Sequence, residues 1–189
     1  METERAKTIN GVDLSRAQAM REAVMKQPKS AWAKFQARAT WKTAFYNEST
    51  IDEFWLGGNK NSRVKPFGIT SDHPPELMGT NKGALPPEIL LDALSHCITN
   101  NFASYGAGMG IKIDSLVTQI EGDIDLQGTM GLPEPGKVRP GYQELRATYY
   151  IKSDATMEQL EKLAKISEDL SPTRDSLRAV KFSSKIIKV

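Results

Sequence analysis

Residues 86–110 read PPEILLDALSHCITNNFASYGAGMG, and this stretch decides the fold. Two prolines suit the first turn of a helix, where a missing N–H costs nothing. Glu88 in that turn complements the helix dipole. From there to about Tyr105 apolar residues recur at helical spacing, and Gly106, Gly108 and Gly110 act as stops. Leu90, Leu94, Cys97, Ile98, Asn101, Phe102 and Tyr105 share one broad face, which Leu91 and Ala93 widen. No Lys or Arg interrupts it. A helix so short of charge is buried on most sides, which predicts a central helix carrying the one cysteine of the chain.

Upstream, residues 73–87 (HPPELMGTNKGALPP) are too rich in Pro and Gly for regular structure. Residues 33–47 alternate: Phe35, Ala37, Ala39, Trp41, Thr43 and Phe45 against Lys34, Gln36, Arg38, Thr40 and Lys42. Period two predicts a strand with one wet face. STIDEFWL (49–56) and RVKPFGITSD (63–72) read as shorter strands, with the reversal at Gly57-Gly58-Asn59. Before them, 13–27 reads as a surface helix capped by Asp13, with Leu14, Ala17, Met20 and Val24 as its stripe. Downstream, 115–128 alternates again, with Gly122 as an expected bulge. A turn-rich loop (129–141) leads to a strand over 142–154. A helix over 156–170 follows, capped by Asp154 or Thr156, with Leu160, Leu163, Ala164, Ile166 and Leu170 inward. SPTRDSL (171–177) is a short helical turn, and 179–189 a closing strand. Helices and strands do not alternate strictly, so the class is α+β with largely antiparallel sheets.

The 189 residues carry a net charge of +2, with 39% hydrophobic and 25% charged residues. Such a chain is globular, and without a basic tract it predicts no nucleic-acid partner. No uncharged apolar run is long enough to span a membrane, and the mixed-charge N-terminus is not a secretory signal. One cysteine forms no internal disulfide, as expected in the reducing cytoplasm. With two histidines and one cysteine, no metal site or cofactor is expected.

The run SDHPPELMGTNKGALPPEILLDALSHCITNNFASYGAGMGIKI (71–113) resembles the central motif of the OsmC/Ohr family, a Gly- and Pro-containing loop entering a long cysteine-bearing helix. EGDIDLQGTMGLPEPGKVRPGYQELRATYYIKSD (121–154) looks like the strand–loop–strand of an OsmC-like branch, and LAKISEDLSPTRDSL (163–177) resembles the family's last helix and second motif. The likeness runs over residues 67–189 and implies an OsmC-like fold, with antiparallel sheets wrapped around the long central helix in an intertwined homodimer. It places residues 1–30 as an N-terminal helical extension and 31–189 as one OsmC-like domain. It also implies a hydroperoxide reductase of oxidative-stress defence, with active sites at the subunit boundary. In that chemistry the helix cysteine attacks the peroxide, a second cysteine closes a disulfide with it, and an external thiol restores both.

Cys97 falls on the attacking position. The second cysteine of the family precedes a proline, and here that place reads Ser171-Pro172. The family's acid lies ten residues before the cysteine, where this chain has Pro87; Glu88 comes one residue late. Nine helical residues separate Glu88 from Cys97 by roughly 13 Å, on the opposite face. Arg38 and Arg63 are the candidate cations for holding a thiolate. His96 diverges from its neighbour Cys97 and is a poor base for it. His73 either lines a pocket mouth or is a solvated loop histidine. Asn101, four after Cys97, either binds a ligand or ties two helices together. Ser171 cannot form the family's disulfide and either lines a ligand pocket or simply caps a helix. Asp123 and Asp125 read as the wet face of their strand.

Two functions compete. A one-cysteine peroxidase would take a small-molecule peroxide at Cys97 and be reduced by an external thiol. A non-catalytic dimer would bind an apolar ligand against Leu94, Ile98, Asn101, Phe102, Tyr105, His73 and Ser171. A relic without activity is a third option. On physics alone, a lone cysteine on an apolar face is packing unless its pKa is lowered.

Overall fold

The computed structural model describes residues 8–189, so the first seven residues of the expected extension lie outside the described residues. In chain order the elements are β1 (Thr8–Ile9), β2 (Val12–Asp13), α1 (Leu14–Lys26), β3 (Ala33–Phe35), β4 (Arg38–Thr43), β5 (Tyr46–Ile51), β6 (Phe54–Leu56), β7 (Asn59–Asn61), β8 (Phe67–Ser71), α2 (Pro86–Gly108), β9 (Ser115–Ile124), α3 (Leu126–Met130), β10 (Tyr142–Lys152), α4 (Met157–Asp169), α5 (Pro172–Ser176) and β11 (Lys181–Lys188). The described residues form two compact units, residues 15–89 and residues 8–14 with 90–189. The class is α+β.

The unit containing 90–189 holds the apolar core. Its sheet has the order β11–β10–β9, with β9 antiparallel and β11 parallel to the central β10. Leu94, Ile98 and Phe102 of α2, Leu160 and Leu163 of α4, and Leu145, Tyr149 and Ile151 of β10 are all fully buried. Each of these aliphatic or aromatic side chains contributes about 1.5–3 kcal/mol by leaving water. Thr99 links α2 to β9 by a 2.8 Å hydrogen bond to Thr118 Oγ1. The helix runs past Tyr105 to Gly108 and turns at Gly110 (φ +74°). Gly106 lies inside the helix, and a Cβ there would come within 3.2 Å of the Asn10 side chain. Asn10 and Gly11, both at positive φ, form the two-residue turn of the β1–β2 hairpin. The Asn10 amide donates to the carbonyls of Ala103 and Ile111 and accepts from the Ile113 N–H, fastening the end of α2.

Three expectations in this unit need correction. The bulge beside Gly122 lies on β10, between Tyr142 and Glu144; Gly122 leaves room for the Tyr142 ring, which a Cβ would meet at 2.5 Å. β9 stops at Ile124, because Asp125 caps α3 through its own side chain. On α4 the inward residues are Leu160, Leu163, Ala164 and Ser167, while Leu170 ends the helix and is exposed. Thr156, not Asp154, caps α4 in a reciprocal box with Gln159.

In residues 15–89 the expected strand over 33–47 is divided. β3 pairs with β6 and β4 with β5, because residues 36–37 oppose residues 51–53 and break the ladder. The sheets are β3–β6–β7 and β4–β5–β8. The reversal falls at Gly57-Gly58, both at positive φ, and leads at once into β7. Both faces of β3 and β4 are exposed, against the expectation of one covered face. α1 likewise buries none of its residues. No hydrophobic residue of this unit is buried among those described; Ser71 and Asp72 are.

Candidate functional site

Cys97 lies midway along α2 and is partly buried. The sulfur meets the start of α5. Ser171, 1% exposed, donates its hydroxyl to Cys97 Sγ at 3.1 Å and accepts the Arg174 N–H at 3.1 Å. It therefore caps α5 and touches the thiol at once. Burial pushes the Cys97 thiol up. Hydrogen bonds from Ser171 and from the Thr173 backbone and side chain outweigh it and leave the thiol below its usual value. The groups that lower it are hydroxyls and an amide, not a cation. Thr173 was not apparent from sequence; a hydroxyl two residues after the family's second-cysteine position was its only signal.

One turn along α2, Asn101 donates to the Ser167 carbonyl at 2.9 Å, tying α2 to α4. Tyr149 donates to Glu168 at 2.9 Å, and burial and that carboxylate hold its phenol well above the usual range. Glu168 also borders a cleft of about 200 Å³ with Asp169, Arg174, Asp175, Arg178 and Phe182. The Arg174 guanidinium stacks over Phe182 at 4.4 Å. His96 points outward, with Nε2 3.3 Å from an Asp92 carboxylate oxygen.

Leu94, Ile98 and Phe102 are enclosed in the core, and Tyr105 packs against it. Glu88 accepts the Leu85 N–H at 2.8 Å and so caps α2. Asp123 pairs with Arg146, and Asp125 serves as the α3 cap.

Arg38, Arg63 and His73 belong to the other unit. Arg38 lines a polar cleft with Gln36, Thr50, Asp52 and Glu53. Arg63 sits over the rings of Phe54 (4.9 Å) and Phe67 (5.8 Å). His73 stacks on Phe45 with centroids 4.2 Å apart. It begins a loop organised by Asp72, whose carboxylate accepts the Thr80 hydroxyl (2.6 Å) and the N–H groups of His73, Thr80 and Lys82. Chiefly the Thr80 hydroxyl, then these amides, hold its pKa at about 2 against the cost of burial. Gly79 and Gly83 lie so close to the backbone of His73 and Thr70 that any side chain would collide. Asp72 thus fixes the loop that leads into α2. Among the described residues no cluster of His, Cys, Asp or Glu could hold a metal ion.

A long apolar helix backed by a three-stranded sheet, with one thiol facing the cap of a later helix, defines the class: OsmC-like α+β proteins. The family model described as OsmC-like protein matches residues 79–185, more than half of the sequence, and the chain belongs to that family. No curated protein matches it. Its fold is similar to an OsmC-like protein from Mycoplasma pneumoniae (18% identity, 82% of this chain and 97% of that one, TM-score 0.63). An OsmC-like protein of unknown function from Vibrio cholerae is similar too (17% identity, 82% and 99%, TM-score 0.62). So is an organic hydroperoxide resistance protein from Elizabethkingia anophelis (16% identity, 82% and 96%, TM-score 0.59). At these identities the likeness shows the fold.

Proposed function

We propose that the protein is a thiol-dependent hydroperoxide reductase acting through Cys97 alone. The observation that carries this is the 3.1 Å contact between Cys97 and Ser171, with hydroxyl and amide donors gathered on a half-buried sulfur whose thiol is lowered. The thiolate attacks the terminal peroxide oxygen. An S–O bond forms, the O–O bond breaks, and the alkoxide leaves and takes a proton from water. The sulfenic acid has no second cysteine in its chain. A thiol from outside therefore attacks it, forming a mixed disulfide and releasing water. A second external thiol frees Cys97 and departs as the oxidised disulfide.

Peroxide consumption with a dithiol reductant, for the wild type and Cys97→Ser, tests this. Equal rates overturn it. Arg38→Ala and Arg63→Ala in the same assay show whether either arginine supports the thiolate.

The same reading includes a homodimer. Trp32, Phe35, Trp41 and Phe67 are 60–76% exposed, more apolar aromatic surface than an isolated chain ordinarily leaves in water. A monomeric mass in solution overturns this part. Among the described residues no helix is long and apolar enough to cross a membrane.

A further inference from the structure

We propose that Ser171 is a catalytic residue: it donates a hydrogen bond to the reacting sulfur and stabilises the thiolate that a cation stabilises in other thiol enzymes. This rests on Cys97 being the attacking group. The Ser171 hydroxyl is buried at 1% exposure and makes two hydrogen bonds. It accepts the Arg174 N–H on one lone pair and donates its proton to Cys97 Sγ. A simple helix cap would need only the first of these bonds.

Several charged groups on the surrounding elements of this unit are engaged elsewhere. His96 lies against Asp92, Glu168 accepts the Tyr149 hydroxyl, Lys165 pairs with Asp169, and the Arg174 guanidinium lies over Phe182. The lowered thiol agrees with an effect of the hydroxyl donor, helped by Thr173. Such a bond is stronger to a thiolate than to a thiol, because a charged acceptor strengthens it.

The test is the pH dependence of Cys97 alkylation, measured without peroxide on folded protein, as judged by circular dichroism. Ser171→Ala removes both donor and cap. Ser171→Asp keeps a cap but presents only acceptors. Ser171→Thr keeps the hydroxyl. Expected is an upward shift of the thiol pKa in the first two, with alkylation below that pKa about tenfold slower, and wild-type behaviour in the third. An unchanged profile in Ser171→Ala, or a wild-type profile in Ser171→Asp, overturns the proposal. Because no peroxide is present, this result is separate from the peroxide assay. A Ser171 effect without turnover overturns the reductase reading, and turnover without a Ser171 effect overturns the role of Ser171.

Discussion

The two units of this chain are held together by different physics. The unit with residues 90–189 is a conventional core, in which α2 and α4 bury aliphatic and aromatic side chains on the β9–β10–β11 sheet. The unit of residues 15–89 is organised by backbone pairing and one buried carboxylate, and it leaves Trp41, Phe35 and Phe67 in water. One unit buries an apolar core of its own. The other has the hydrogen bonds of a fold but not its apolar burial, which motivates the proposed dimer.

The largest expected effect lies in the packed unit. Phe102→Ala removes a fully buried ring in contact with Tyr149 and should cost about 3–5 kcal/mol, read by denaturant unfolding. If it costs under about 1 kcal/mol, the contrast between the units is lost.

Asp72→Asn comes next. It should release the 72–85 loop, seen as faster hydrogen exchange at the amides of Thr80 and Lys82, with a lower melting temperature. The sign of its pH dependence follows from the lowered pKa. The folded value of about 2 lies below the unfolded value, so the carboxylate contributes fully above roughly pH 4. That contribution is lost as the pH falls toward 2. Asp72→Asn should flatten this part of the acid-unfolding curve.

Ser171→Cys sharpens the site. The 3.1 Å approach of Ser171 Oγ to Cys97 Sγ is close enough that peroxide should now produce an internal disulfide, seen as the loss of two hydrogens by mass spectrometry. Trp41→Ser should cost the isolated chain under about 0.5 kcal/mol, since the ring is 70% exposed, yet shift any dimer toward monomer in sedimentation. The smallest local effect comes from an exposed cap. Thr156→Ser should leave α4 almost unchanged, because serine keeps the reciprocal box with Gln159.

Much of this was legible in the residues. The uncharged face of 86–105 announced a buried helix, and the family pattern placed Cys97 opposite position 171. The hairpin at Asn10-Gly11 carries the dipeptide typical of a tight turn, but flanking strands of two residues are too short to show alternation. The split of 33–47 was hidden because alternation continues through Gln36-Ala37; only the extra residue on the opposing strand breaks it. Thr173 was invisible as a donor because an exposed turn and a thiol contact look alike in one dimension.

What the sequence by itself determined is periodicity and composition: one thiol, on one buried helix, in an α+β chain. Local spacing is enough for these, since a helix or strand imposes its own repeat on the residues that face the core. Only the tertiary structure decided that Ser171 both caps α5 and donates to Cys97, and that Asp72 gathers the loop before α2. Both depend on hydrogen bonds across long or irregular stretches of chain, where direction and distance are set by packing and leave no repeat to read.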